Sequence, residues 1–98
     1  MHQIGHTGTT DDLKTSGTAT FGGEESGLRA SGLFRVEAGH SADYALAQSS
    51  QLMACVRKLT FEAGIEQDAT LALAACFLSG MAKALIDDVS HSILVTQP

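Results

Sequence analysis

The chain has 98 residues, 44% of them hydrophobic, with one proline and no tryptophan; so short a chain has room for one core and hence one domain. Six basic against eleven acidic side chains give a net charge of −5, a field that repels phosphate backbones and anionic lipid surfaces. Nucleic acid and membrane are therefore not expected partners.

The start, Met1-His2-Gln3-Ile4-Gly5, has neither the basic nor the apolar region of a signal peptide, so the expected location is cytoplasmic, with Cys55 and Cys76 reduced. Residues 1–32 hold Gly5, Gly8, Gly17, Gly22, Gly23, Gly27 and Gly32 among many Ser and Thr, and show no sustained apolar period. Such a composition does not bury enough surface to offset the entropy of ordering, and it reads as a flexible arm. Within it, Thr18-Ala19-Thr20-Phe21 is able to extend as a short strand.

A second unit, 33–98, opens with Leu33-Phe34-Arg35-Val36-Glu37, where Phe34 and Val36 alternate with charged residues as in a half-buried strand. Three arrangements fit: pairing with the Phe21 segment, pairing with the same strand of a second subunit, or lying extended across helices. Its edge makes Phe34, Arg35 and Val36 the candidate partner-binding residues.

From residue 41 the period becomes helical. Ser41 is a suitable N-cap with Asp43 in the first turn, and Ala45, Ser49, Leu52, Val56, Leu59 and Ala63 recur at spacings of four and three. The spacing predicts a helix over 41–63, stopped by Gly64 in the left-handed conformation with Ile65 folding back. Asp68 then caps a second helix over 68–91, whose seam is Leu71, Ala75, Leu78, Ala82, Leu85 and Val89. Its uncharged run, Ala69 to Ala82, is too short to span a bilayer and reads as a buried helix.

The short turn makes the helices antiparallel neighbours, level at Leu46 with Leu85, Met53 with Leu78 and Leu59 with Ala72. The second helix has a further apolar side, Leu73, Phe77 and Ala84, and a row of small residues four apart, Ala72, Cys76, Gly80 and Ala84. Either the arm covers this side or a second chain does. Two helices alone bury little, so the expectation is an all-α antiparallel hairpin that dimerises into a four-helix bundle, with Leu73, Cys76, Phe77, Gly80, Met81 and Ala84 at the interface.

Leu33-Phe34-Arg35-Val36-Glu37-Ala38-Gly39, Tyr44 to Leu52 with Cys55, and Met81 to Val89 resemble a family of small uncharacterised proteins common in pseudomonads, a domain of unknown function. The resemblance covers about residues 33–90 and extends to the stretch from Lys14-Thr15 to Phe21. It implies a short extended segment before a helical hairpin, and no catalytic residues.

The sequence holds no nucleophile elbow, Cys-x-x-Cys, His-Glu-x-x-His or P-loop, so neither a cofactor nor catalysis is expected. Cys55 and Cys76 fall at one height but point away from each other on their helices, which argues for small packing residues rather than a disulfide. At the hairpin's open end His40, Asp43, Asp87, Asp88 and His91 form a conceivable metal set. The competing explanation is local: Lys83 pairs with Asp87 one turn on, and His91 suits a helix C-terminus. Adjacent carboxylates there disfavour the dipole and call for a cation, for which a partner's Arg35 or Lys83 would serve. Two functions remain open, a dimeric interaction module acting as a regulator or adaptor of another protein, and a metal- or small-molecule-binding protein using the open-end cluster or a cavity near Met53, Phe77 and Met81.

Overall fold

A computed structural model of the chain describes residues 13–22 and 32–96. Ser41 is extended, with φ −64° and ψ 145°, and its hydroxyl oxygen accepts the Tyr44 N–H at 3.1 Å, so α1 (Ala42–Glu66) starts at the expected cap. It does not stop at Gly64. The helix runs through Gly64 and Ile65, and the left-handed residue is Gln67, at φ 53°; the N–H groups of Gln67 and Asp68 close on the Ala63 carbonyl. The reason lies in the next helix. The Asp68 carboxylate accepts the N–H groups of Thr70 at 2.9 Å and Leu71 at 3.2 Å, which fixes the reversal immediately before Asp68. Ile65 accordingly stays 65% exposed instead of folding back. The second helix, α2 (Ala69–Thr96), runs five residues beyond His91.

The two helices pack as an antiparallel hairpin along the seams the spacing predicts. Ala45, Ser49, Ala75, Ala82 and Val89 are buried, and Leu52, Val56, Leu59, Leu71, Leu78 and Leu85 are half-buried between them. Ser49 donates its hydroxyl to the Ala82 carbonyl at 3.1 Å, in the same register that sets Leu46 level with Leu85. Ala45, Ser49, Ala75 and Ala82 are small, and this is what allows the backbones to approach. The core is correspondingly thin: among the described residues the buried hydrophobics are Val36, Ala42, Ala45, Ala75, Ala82, Ala84 and Val89, and the largest fully buried side chain is Asp88.

A two-residue ribbon lies beside α2. Strand β1 (Thr20–Phe21) pairs antiparallel with β2 (Phe34–Arg35), Thr20 opposite Arg35 and Phe21 opposite Phe34, with the two phenyl rings stacked at 5.3 Å. Of the three arrangements open to the strand, this is the pairing within the chain.

The assignment of residues 1–32 to a flexible arm needs correction for 13–22, which are bound into the fold; residues 1–12 and 23–31 lie outside the described residues. The Leu13 carbonyl accepts the Ala42 N–H at 2.9 Å, Thr15 exchanges backbone bonds with His40 and Gly39, and Ser92 donates its hydroxyl to the Lys14 carbonyl at 2.6 Å. Composition missed this because residues 13–19 are held mainly by hydrogen bonds, with half-buried Leu13 and Ala19 as their apolar contribution, while Phe21 packs by stacking on Phe34.

Candidate interaction surface

The small-residue row of α2 continues past Ala84 to Asp88 and Ser92, each four residues on, and the three are 2%, 0% and 4% exposed. A backbone does approach this row closely, but it is the chain's own. Asp88 accepts the N–H of Ser16 at 2.5 Å, of Thr18 at 2.9 Å and of Ala19 at 3.0 Å, and the Ser16 hydroxyl at 3.1 Å. Gly17, at φ +81°, lets the segment curl so that successive N–H groups converge on one carboxylate. Burial pushes the Asp88 pKa up, but the backbone N–H groups of Ala19, Ser16 and Thr18, with the Ser16 hydroxyl, outweigh it and hold the carboxyl below the ordinary carboxylate value.

This strap corrects three expectations. Ala84 is covered within the chain and is not free for a second one. Asp88 is compensated by N–H dipoles instead of a partner's Arg35 or Lys83, while Asp87 takes Lys83 of its own helix at 2.7 Å. Asp88 is also lost as a metal ligand, because donors already occupy both its oxygens. Of the rest of that set, His40 bonds through Nε2 to Glu37 at 2.7 Å, Asp43 sits in the first turn of α1, and His91 is exposed on α2. Among the described residues no three His, Cys, Asp or Glu side chains assemble as a metal site.

The other half of the same side of α2 is uncovered. Leu73 is 56% and Phe77 51% exposed, Cys76 is exposed, and a Cβ built on Gly80 would meet nothing within 4 Å. Met81 is half-buried and joins Phe77 to Phe21 and Phe34 in one apolar hollow. Phe77 and Met81 thus lie next to the ribbon, Leu73 and Gly80 are near them on α2 by helical spacing, and Cys76 opens instead on a hollow between the helices with Val56, Thr60 and Ala63.

The proposed partner-binding strand is only in part available. Phe34 is 53% exposed, whereas Arg35 donates to the Gly17 carbonyl at 3.1 Å, and Val36 is buried with its N–H on Ala19 at 3.0 Å. Val36 is therefore a core residue. Cys55 and Cys76 are both free and exposed, in keeping with their divergent helix positions. The expectation that the apolar run of α2 is too short to span a bilayer and lies buried needs correction: α2 (Ala69–Thr96) is long and apolar enough to cross a membrane by length and composition, and whereas a soluble protein's core helix that passes the same test is mostly buried, only 17% of the apolar window of α2 is.

A family model described as a protein of unknown function, DUF3077, matches residues 15–92, and the chain belongs to that family. The family confirms the resemblance carried by the motifs, though an origin in pseudomonads does not follow from it. Its limits fall on Thr15 and Ser92, two buried residues of the contact between strap and α2. Neither a curated protein nor a solved structure was found to match the chain.

Proposed function

We propose that the chain is a non-catalytic interaction module, a homodimer whose hairpins join into a four-helix bundle and which serves as a regulator or adaptor of another protein. The observation that carries this reading is the uncovered half of α2, where Leu73 and Phe77 are more than half exposed beside a backbone left open at Gly80. A contiguous apolar patch of this kind marks an interaction surface on a soluble domain. The thin alanine core supports it, since a chain that buries few large side chains of its own gains most from burying them against a copy. The dimer contact would use Leu73, Cys76, Phe77, Gly80 and Met81, and would leave exposed Phe34 with the strand around it to meet the further partner. Two exposed free thiols suit the reducing, cytoplasmic setting this reading assumes.

Light scattering at micromolar concentration tests it. The unaltered chain should run as a dimer, and Phe77→Glu or Gly80→Arg as a monomer that keeps its helical circular dichroism. A folded monomer of the unaltered chain at that concentration overturns the reading.

A further inference from the structure

On the ribbon's other flank, between it and the hairpin, lies a half-open cavity of about 320 Å³, within the range of small-molecule sites. Its floor is apolar, made by Phe21 of β1, Leu52 of α1, and Met81 and Leu85 of α2. Its mouth carries Glu37, His40 and Tyr44. The Glu37 side chain is 81% exposed and holds His40 Nε2 through one oxygen at 2.7 Å, and the His40 and Tyr44 rings lie 6.1 Å apart.

Three features define what fits. Leu52, Met81 and Leu85 are large, half-buried side chains around unfilled space in a chain whose own core is mostly alanine, so an apolar body placed there gains burial the fold does not otherwise provide. No Lys or Arg is among the described residues that line it, and the Glu37 carboxylate at the mouth repels an anion. Tyr44, 54% exposed, lines the same cavity as Glu37 and has an aromatic ring able to take a cation on its face.

We propose that this cavity binds a small hydrophobic amine, its aryl or alkyl body against Phe21, Leu52, Met81 and Leu85 and its ammonium between the Glu37 carboxylate and the Tyr44 ring. Glu37 then exchanges part of its bond to His40 for the ligand. The site is lined by one chain but shares Met81 with the proposed dimer contact, so the methyls of Leu52 and Leu85, which that contact does not use, distinguish ligand binding from a change in the dimer.

The probes are 4-phenylbutylamine, the matched alcohol 4-phenylbutanol and the acid 4-phenylbutyrate, titrated into the full chain and followed by methyl resonances. All binding should be read at the Met81, Leu52 and Leu85 methyls. The amine should bind about tenfold tighter than the alcohol, the sum expected of an exposed ion pair and a cation–π contact, and the acid should bind most weakly. Glu37→Gln should remove the ion-pair part of the amine's preference and leave the smaller part that comes from the Tyr44 ring, while leaving the alcohol unchanged. Leu52→Trp, which fills the floor, should abolish both; its fold is checked by circular dichroism, and if it fails to fold the Glu37→Gln comparison decides alone. Amine binding that leaves those methyls unmoved, a preference for the acid, or a Glu37→Gln chain that keeps the full amine preference each overturns the proposal, as does the absence of binding by amine and alcohol at millimolar concentration.

Discussion

Asp88 and Ser16, 72 positions apart in the chain, are joined by two hydrogen bonds, from the Ser16 backbone N–H at 2.5 Å and from its hydroxyl at 3.1 Å. Together with the N–H groups of Thr18 and Ala19 they give a buried carboxylate four donors from one short segment. Bonds to an ionised acceptor are about twice as strong as neutral ones, and a buried carboxylate deprived of them is costly. The strap is thus held by one side chain on α2 more than by any apolar contact.

Removing that side chain should release the strap. Asp88→Ala leaves three N–H groups without their acceptor, and Asp88→Asn turns amide donors toward donors. Each should lower stability by about 2–4 kcal/mol in urea unfolding. Amide exchange separates strap release from global unfolding: Ser16, Thr18 and Ala19 should lose protection well before the α1–α2 seam around Ser49 and Ala82. Equal loss at both sites would mean that the strap is no separate unit.

The same carboxylate sets an acid limit. Its folded pKa is lowered, so its contribution is complete above the unfolded value of about 3.9 and disappears as pH falls through the lower folded value. Urea midpoints of the unaltered chain and of Asp88→Asn should differ by a constant amount from pH 7 to about pH 5 and converge below about pH 4. A gap that opens as pH falls would reverse the sign of the argument.

The helices were legible because their information is local and periodic. Ser41 and Asp68 cap where a short polar side chain precedes an apolar seam, and the spacing of that seam fixes the register in which Ser49 meets Ala82. Gly64 misled because a glycine near a helix end is compatible with a stop and also with one more turn, and the carboxylate of Asp68 decides between them. The strap was hidden for a different reason. Its bonds come from backbone groups, which every residue possesses, so nothing in Ser16-Gly17-Thr18-Ala19 distinguishes a docked segment from a loose one. The signal that was present lay on α2, where the four-residue row Cys76, Gly80, Ala84 continues into Asp88 and Ser92. A carboxylate and a hydroxyl extending a small-residue row ask for donors and carbonyls from an approaching backbone. Phe77 and Leu73, by contrast, kept the exposed position that their angle from the seam implies.

The two cysteines should behave independently. Both are unpaired and exposed on the single chain, so Cys55 should be alkylated readily in the native state and Cys76 more slowly where the dimer contact covers it, and Ala at either position should change stability by about 1 kcal/mol or less. A native link between Cys55 and Cys76 in non-reducing mass spectrometry would contradict their placement.

The close approach of the helices gives the sharpest test of the hairpin. Ser49 and Ala82 are 3% and 1% exposed and face each other across the seam through the 3.1 Å bond from the Ser49 hydroxyl to the Ala82 carbonyl. Ser49→Ala removes the bond but keeps the volume, and should cost about 1 kcal/mol. Ala82→Leu adds three carbons where two backbones nearly touch and should cost about 1–3 kcal/mol or more by overpacking. The larger change should also reach the strap. Leu13 holds the start of α1 through the Ala42 N–H, while Asp88 and Ser92 hold the same segment from α2, less than two turns and less than three turns beyond Ala82. Forcing the helices apart at Ala82 pulls those anchors apart, so Ala82→Leu should expose the Ser16 and Thr18 amides to exchange, and Ser49→Ala should leave them protected. Protection of those amides in Ala82→Leu would show that the strap rides on α2 alone and does not clamp the two helices together.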